Sequence, residues 1–137
     1  MENFEHLNGL TLAYIGDAVY EVFIRDYLLT TGLTKPNHLH RAATRYVSAK
    51  AQAFLMMRML SIEAFLTEKE IDIYKRGRNT KSHTSAKNTD IMTYRIATGF
   101  EAVMGYLHIC KEEERLNTLL NWCVRTIGEE DEKATVK

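Results

Sequence analysis

The chain is poor in residues that interrupt helices. Its 137 residues include one proline, Pro36, and seven glycines. That excludes a strand-rich sandwich, which would need many more turns, and favours long helices. Cysteine is equally scarce. Cys110 and Cys123 lie apart with no CxxC pairing, so a disulfide scaffold is excluded, and both read as reduced, buried thiols rather than metal ligands. Charge of one sign is missing too: 18 Lys and Arg balance 18 Asp and Glu. This argues against a surface coated in basic charge, while leaving room for a local basic patch balanced elsewhere. No apolar run approaches a membrane span, and the N-terminus has no basic-then-apolar leader. A cytosolic protein without membrane contact is expected. Hydrophobic residues make up 45% of the chain, enough at this length for one core and one domain.

Against this plain background one stretch stands out: Leu-Ala-Tyr-Ile-Gly-Asp-Ala-Val-Tyr-Glu at 12–21. It reads as a helix that is apolar on nearly every side, with Asp17 set into it directly after Gly16. Glycine inside a helix costs about 0.5–1 kcal/mol relative to alanine, and carboxylates are rarely buried unless paired or coordinating something. Either Asp17 is a core carboxylate held by an arginine or backbone donor, or it is functional. A second stretch, Thr-Gly-Phe-Glu-Ala-Val-Met-Gly at 98–105, repeats the pattern around Glu101 and shifts the balance toward function.

Residues 7–31 form the first expected helix, central and packed on several sides. Leu10, Tyr14, Asp17 and Glu21 share one face, and Gly32 ends the helix at C′. Pro36 opens a second helix. A break near Val47 follows, with Ser48 able to cap a third. His38 and His40, two apart, do not share a helix face. Thr67 and Glu70 fit a capping box for a helix running to about Arg76. Residues 75–90 then hold five Lys or Arg against one Asp, an excess of four, with many hydroxyls and amides and no hydrophobic period. An exposed loop of about a dozen residues is expected, long enough to suggest function. Thr89 or Asp90 caps the next helix, which runs to about Ile109. A last amphipathic helix spans 112–127 and ends at Gly128. The domain is thus expected to cover 1–127, with 128–137 a charged, disordered tail.

Two carboxylates from different helices, facing across a close packing, suit a hard divalent cation such as Mg²⁺, which takes oxygen ligands. Such an ion lowers the pKa of a bound water and stabilises charge on a phosphoryl group. A loop rich in basic, hydroxyl and amide groups suits phosphates and 2′-hydroxyls, the features by which duplex RNA is mostly read. Together these pieces point to metal-dependent phosphodiester chemistry on a polyanion.

The motifs also carry a resemblance. Tyr-Ile-Gly-Asp-Ala-Val at 14–19 resembles the Phe-Leu-Gly-Asp-Ala-Val core of the ribonuclease III signature. Gly-Phe-Glu-Ala-Val-Met-Gly at 99–105 resembles that family's second motif, Phe-Glu-Ala-Leu-Ile-Gly, and Arg-Gly-Arg-Asn at 76–79 precedes it much as a Gly-Gly-Arg segment does in the family. The likeness covers roughly residues 7–127. Two acidic positions of the ordinary enzymes are replaced, by Ala13 and Thr98, and the length leaves no room for a C-terminal duplex-RNA-binding domain. In these respects the chain is similar to the short Mini-III branch of the family.

The resemblance implies an all-α, multi-helix ribonuclease III-like endonuclease domain that acts as a homodimer. It implies Mg²⁺, with Mn²⁺ able to substitute, held by the catalytic pair Asp17 and Glu101, with Glu21 and Thr98 as outer-sphere candidates. The substrate implied is double-stranded precursor 23S ribosomal RNA, cut to 5′-phosphate and 3′-hydroxyl ends. Arg76, Arg78, Asn79, Lys81, Ser82 and Lys87 are the expected RNA contacts, and a ribosomal protein is a candidate partner. Two rival readings stand beside it: a degenerate homologue that binds duplex RNA or assembles with ribosomal precursors without cutting, and a helical interaction protein in which Asp17 and Glu101 merely satisfy Arg25 or Arg95.

Overall fold

The computed structural model describes residues 6–80 and 90–136, with side chains to Lys133. These residues form six helices and no strand: α1 (Gly9–Thr30), α2 (Pro36–Val47), α3 (Ala49–Ser61), α4 (Glu68–Arg78), α5 (Ile91–Ile109) and α6 (Glu113–Val136). The all-α expectation holds. The central element is α5, which packs on α1, α4, α3 and α6. Its core side of Phe100, Val103, Met104 and Leu107 meets Leu12, Tyr20 and Ile24 of α1, Leu55, Met56 and Met59 of α3, and Leu119 and Cys123 of α6. Tyr20 stacks edge-on against Phe100 at 5.0 Å and donates its hydroxyl to the Tyr46 carbonyl at 2.9 Å. One aromatic side chain thereby ties α1 to both α5 and α2 while leaving no buried hydroxyl unpaired.

Local signals place most helix ends. The Asn8 side chain accepts from the Thr11 amide and starts α1, and Gly32, at φ +95°, follows its end. Ser48 accepts from the Ala51 amide and separates α2 from α3. Thr67 and Glu70 close the full capping box. Asp90 accepts from the Thr93 amide.

Two boundaries and one burial differ from the sequence reading. Helix α4 continues to Arg78, because basic side chains suit a helix C-terminus, so Arg76 and Arg78 lie on its last turn and not in the loop. Helix α6 runs through Gly128 to Val136. Glycine within a helix costs only about 1 kcal/mol, and Arg45–Asp131 and Arg58–Glu130 ion pairs tie the extension to α2 and α3. The expected tail is therefore helical from 128 to 136. Helix α1 is not packed all round: Tyr14 is 80% exposed and Val22 58%, with Leu10 and Leu29 also outward. Asp17 stands on that open side, exposed, and is not a core carboxylate.

The carboxylate that is buried is on another helix. Glu70, at the start of α4, accepts from Nε and Nη2 of Arg115 of α6, each at 2.7 Å, and Arg115 Nη2 also donates to the Phe65 carbonyl at 2.6 Å. Burial works to raise the Glu70 carboxyl, but its bonds to Arg115 and Thr67 outweigh burial and hold it below its ordinary value. This fork anchors α4, the helix that leads into the basic segment.

Candidate active site

The site forms where α1 crosses α5 backbone to backbone. A Cβ on Gly16 would fall on the carbonyl of Glu101, and one on Gly105 would fall on the carbonyl of Leu12. Only glycine at both positions lets the two helices approach this closely. The crossing sets Asp17, next to Gly16, beside the side chain of Glu101. The two carboxylates that the sequence singled out are thus neighbours.

Asp17 is exposed and Glu101 half-buried, so the pair lies at the rim of the core and opens to solvent. Burial and the adjacent Asp17 carboxylate push the Glu101 carboxyl up to about 8. Among the described residues the one opposing influence is Gln52 of α3, whose amide nitrogen donates to Glu101 Oε2 at 3.4 Å. Gln52 is 3% exposed. Sequence reading missed it, because it lies 49 residues from Glu101 in an unremarkable amphipathic helix. Its only signal was a long polar side chain on an otherwise apolar face beside Ala53.

Among the described residues, the groups acting on Glu101 include no cation. Arg25 closes onto Glu21 at 3.2 Å, one turn along α1, and does not satisfy Asp17 or Glu101. Among the described residues no cluster of three or more His, Cys, Asp or Glu surrounds a common point. What the described residues offer is two adjacent carboxylates with no cation paired to them. Two like charges at this separation favour either a shared proton or a bound cation. Oxygen donors in this number fit a hard divalent ion that completes its shell with water or phosphate oxygen.

The outer-sphere candidates are otherwise engaged. Glu21 is bound by Arg25, and the Thr98 hydroxyl, buried, donates to the Tyr94 carbonyl at 3.0 Å. Of the expected RNA contacts, Arg76 is largely committed to the fold. It donates to the Leu7 carbonyl and to Asp72, each at 3.3 Å. Arg78 lies 5.4 Å over the Tyr74 ring and donates to Asn79 Oδ1 at 3.1 Å, and Asn79 caps α4. Arg76 and Asn79 line an open cleft of about 480 Å³ with His6, Asn8 and Thr80. Lys81, Ser82 and Lys87 lie outside the described residues.

Comparison with known proteins gives this geometry its family. Residues 10–112 match the model of the Ribonuclease III domain. The chain is 62% identical over 133 residues to the Mini-ribonuclease 3 of Enterococcus faecalis, covering 97% of this chain and all of that one. It is 60% identical to the Mini-ribonuclease 3 of Streptococcus pneumoniae over 88% of this chain and 94% of that one. A crystal structure of a Fusobacterium nucleatum protein superposes with a TM-score of 0.80 at 30% identity, covering 92% of this chain and 98% of that one. With both motifs meeting at one helix crossing and near-complete coverage of these relatives, the chain belongs to the Mini-ribonuclease 3 branch of the ribonuclease III domain family.

Proposed function

We propose that this chain is a Mg²⁺-dependent endoribonuclease that cuts double-stranded RNA, with Asp17 and Glu101 as its ion-binding and catalytic pair. The observation that supports it most is the meeting of these two carboxylates, without a counter-cation among the described residues, at the Gly16–Gly105 crossing. Membership of the family makes the chain an endoribonuclease; the metal, the pair and the substrate are the proposal. Once bound, the ion would supply Lewis-acid activation of water and stabilisation of charge on the scissile phosphate. The protein's own part is to hold two carboxylate ligands in register. Gly16 and Gly105 set their separation, and Gln52 holds one oxygen of Glu101. Arg78 and Asn79, with Lys81, Ser82 and Lys87 of the segment that follows, supply phosphate and 2′-hydroxyl contacts at the end of α4. Arg76 helps to shape that end of the helix.

The exposed apolar side of α1, with Leu10, Tyr14, Val22 and Leu29, would be covered by a second copy of the chain, so that each protomer of a twofold dimer cuts one strand. The substrate is the double-stranded stem of precursor 23S ribosomal RNA, met in the cytoplasm with a ribosomal protein as partner. No described helix is long and apolar enough to cross a membrane. The second reading, a duplex-binding protein that does not cut, is favoured by one observation. Ala13 has no carboxylate and Thr98 spends its hydroxyl proton on Tyr94, so two acidic positions of the family's ordinary enzymes are lost.

Cleavage of a long RNA duplex in Mg²⁺ separates the two. Cutting by the native chain, abolished by Asp17→Asn and by Glu101→Gln, supports the proposal. Binding without cutting favours the second reading, and cutting that survives both substitutions places the active site elsewhere.

A further inference from the structure

We propose that Gln52 is a positioning residue that fixes the orientation of the Glu101 carboxylate for its ion. The proposal rests on the reading of Asp17 and Glu101 as the ion-binding pair. It begins with the break between α2 and α3. In an unbroken helix the Val47 carbonyl would accept from the Ala51 amide. Here the Ser48 side chain takes that amide at 3.1 Å, and the Val47 carbonyl is left for a side-chain donor. Gln52 supplies it, its Nε2 donating to Val47 O at 3.3 Å.

That bond decides which end of the amide faces the site. A carbonyl oxygen only accepts, so the amide nitrogen must point toward Val47. The same nitrogen then presents its second hydrogen to Glu101 Oε2 at 3.4 Å. Because Gln52 is buried, it cannot exchange this role with solvent. One oxygen of Glu101 is therefore held by a donor that is itself held by backbone, leaving the other free to face Asp17 and an ion. Groups that orient a ligand in this way affect metal affinity roughly 10–100-fold when removed.

The test uses the full chain and two readouts: the melting temperature as a function of Mg²⁺ concentration, and duplex cleavage over the same series. Gln52→Met preserves length and bulk but has no donor. The expected result is a variant that melts near the native value without metal, needs roughly tenfold or more Mg²⁺ to reach the same thermal shift as the native chain, and recovers cleavage as Mg²⁺ is raised. A variant that reaches the native thermal shift at the native Mg²⁺ concentration overturns the proposal and leaves Gln52 as packing. If the native chain's own melting temperature ignores Mg²⁺, the ion-binding pair is the reading that fails, and this proposal falls with it.

Should Gln52→Met not fold, the native chain still decides. The ¹⁵N side-chain amide of Gln52 is expected to be protected from exchange and to shift over the Mg²⁺ range in which the melting temperature begins to rise. An amide that exchanges freely, or does not move, overturns the proposal.

Discussion

Gly16→Ala is the substitution that most directly tests the crossing on which the site depends. Alanine raises helix propensity by about 1 kcal/mol relative to glycine, so in an open helix it would stabilise. At Gly16 the added methyl falls on the Glu101 backbone carbonyl, with the Gly105 amide at 2.8 Å behind it. Backbone cannot rotate away as a side chain can, so α1 and α5 must separate. Overpacking costs typically about 1–3 kcal/mol, and rigid neighbours favour the top of that range. After the propensity gain, the net loss is about 2 kcal/mol, or roughly 6–10 °C in melting temperature for a domain of this size.

Gly128→Ala is the matched control. It too lies within a helix, but nothing stands within 4 Å of its added Cβ, so it should gain about 0.5–1 kcal/mol. Thermal melts of the two variants beside the native chain are the assay. Gly105→Ala should behave like Gly16→Ala, and the double variant should lose less than their sum, because both strain one contact. If Gly16→Ala melts at or above the native temperature, the helices are not held by that backbone contact, and the account of how Asp17 meets Glu101 fails.

Three other outcomes are expected. Without divalent metal, Glu101 keeps in the folded chain a proton that the unfolded chain releases between the ordinary 4.5 and about 8. Its contribution is therefore lost as pH rises through that window. Glu101→Gln should flatten this part of the stability profile and melt higher than the native chain near pH 8 in chelator; parallel profiles would refute it. Glu70 has the opposite sign. Its lowered carboxyl stabilises above its ordinary value and loses that contribution on acidification. Arg115→Met, which leaves Glu70 buried without its partner, should cost about 2–4 kcal/mol in urea unfolding at neutral pH, and a loss below 1 kcal/mol would show the fork to be dispensable. Ending the chain after Gly128 removes the exposed Arg45–Asp131 and Arg58–Glu130 pairs and should cost no more than about 1 kcal/mol; a much larger loss would mean that the extension covers core.

Much of this protein was legible in its sequence because the deciding interactions are short-range. Pro36, the Ser48 cap, the Thr67–Glu70 box and Gly32 each act on backbone within a few residues, so the residue types alone mark where helices start and stop. The two motifs named Asp17 and Glu101 for the same reason: a carboxylate beside glycine in an apolar helix violates local preference. What a helix end does was less legible where a tertiary contact overrides propensity. Gly128 reads as a terminator, yet ion pairs to α2 and α3 carry α6 past it. Arg76 reads as free basic charge, yet it is drawn to the Leu7 carbonyl at the other end of the fold.

The exposure of Asp17 and the contact of Gln52 with Glu101 were decided by tertiary structure alone. Periodicity shows that α1 is apolar on many sides, but which side stays open depends on where α2, α4 and α5 settle, and α5 settles on Gly16. Gln52 reaches Glu101 across 49 residues of chain, and the Glu70–Arg115 fork spans 45. Neither pairing leaves a mark in local pattern, because a buried polar side chain is satisfied by whatever the packing of other helices brings to it. The sequence by itself determined six helices and the two carboxylates. Only the close approach of two glycines brought those carboxylates together, and only the break at Ser48 supplied the amide that holds one of them.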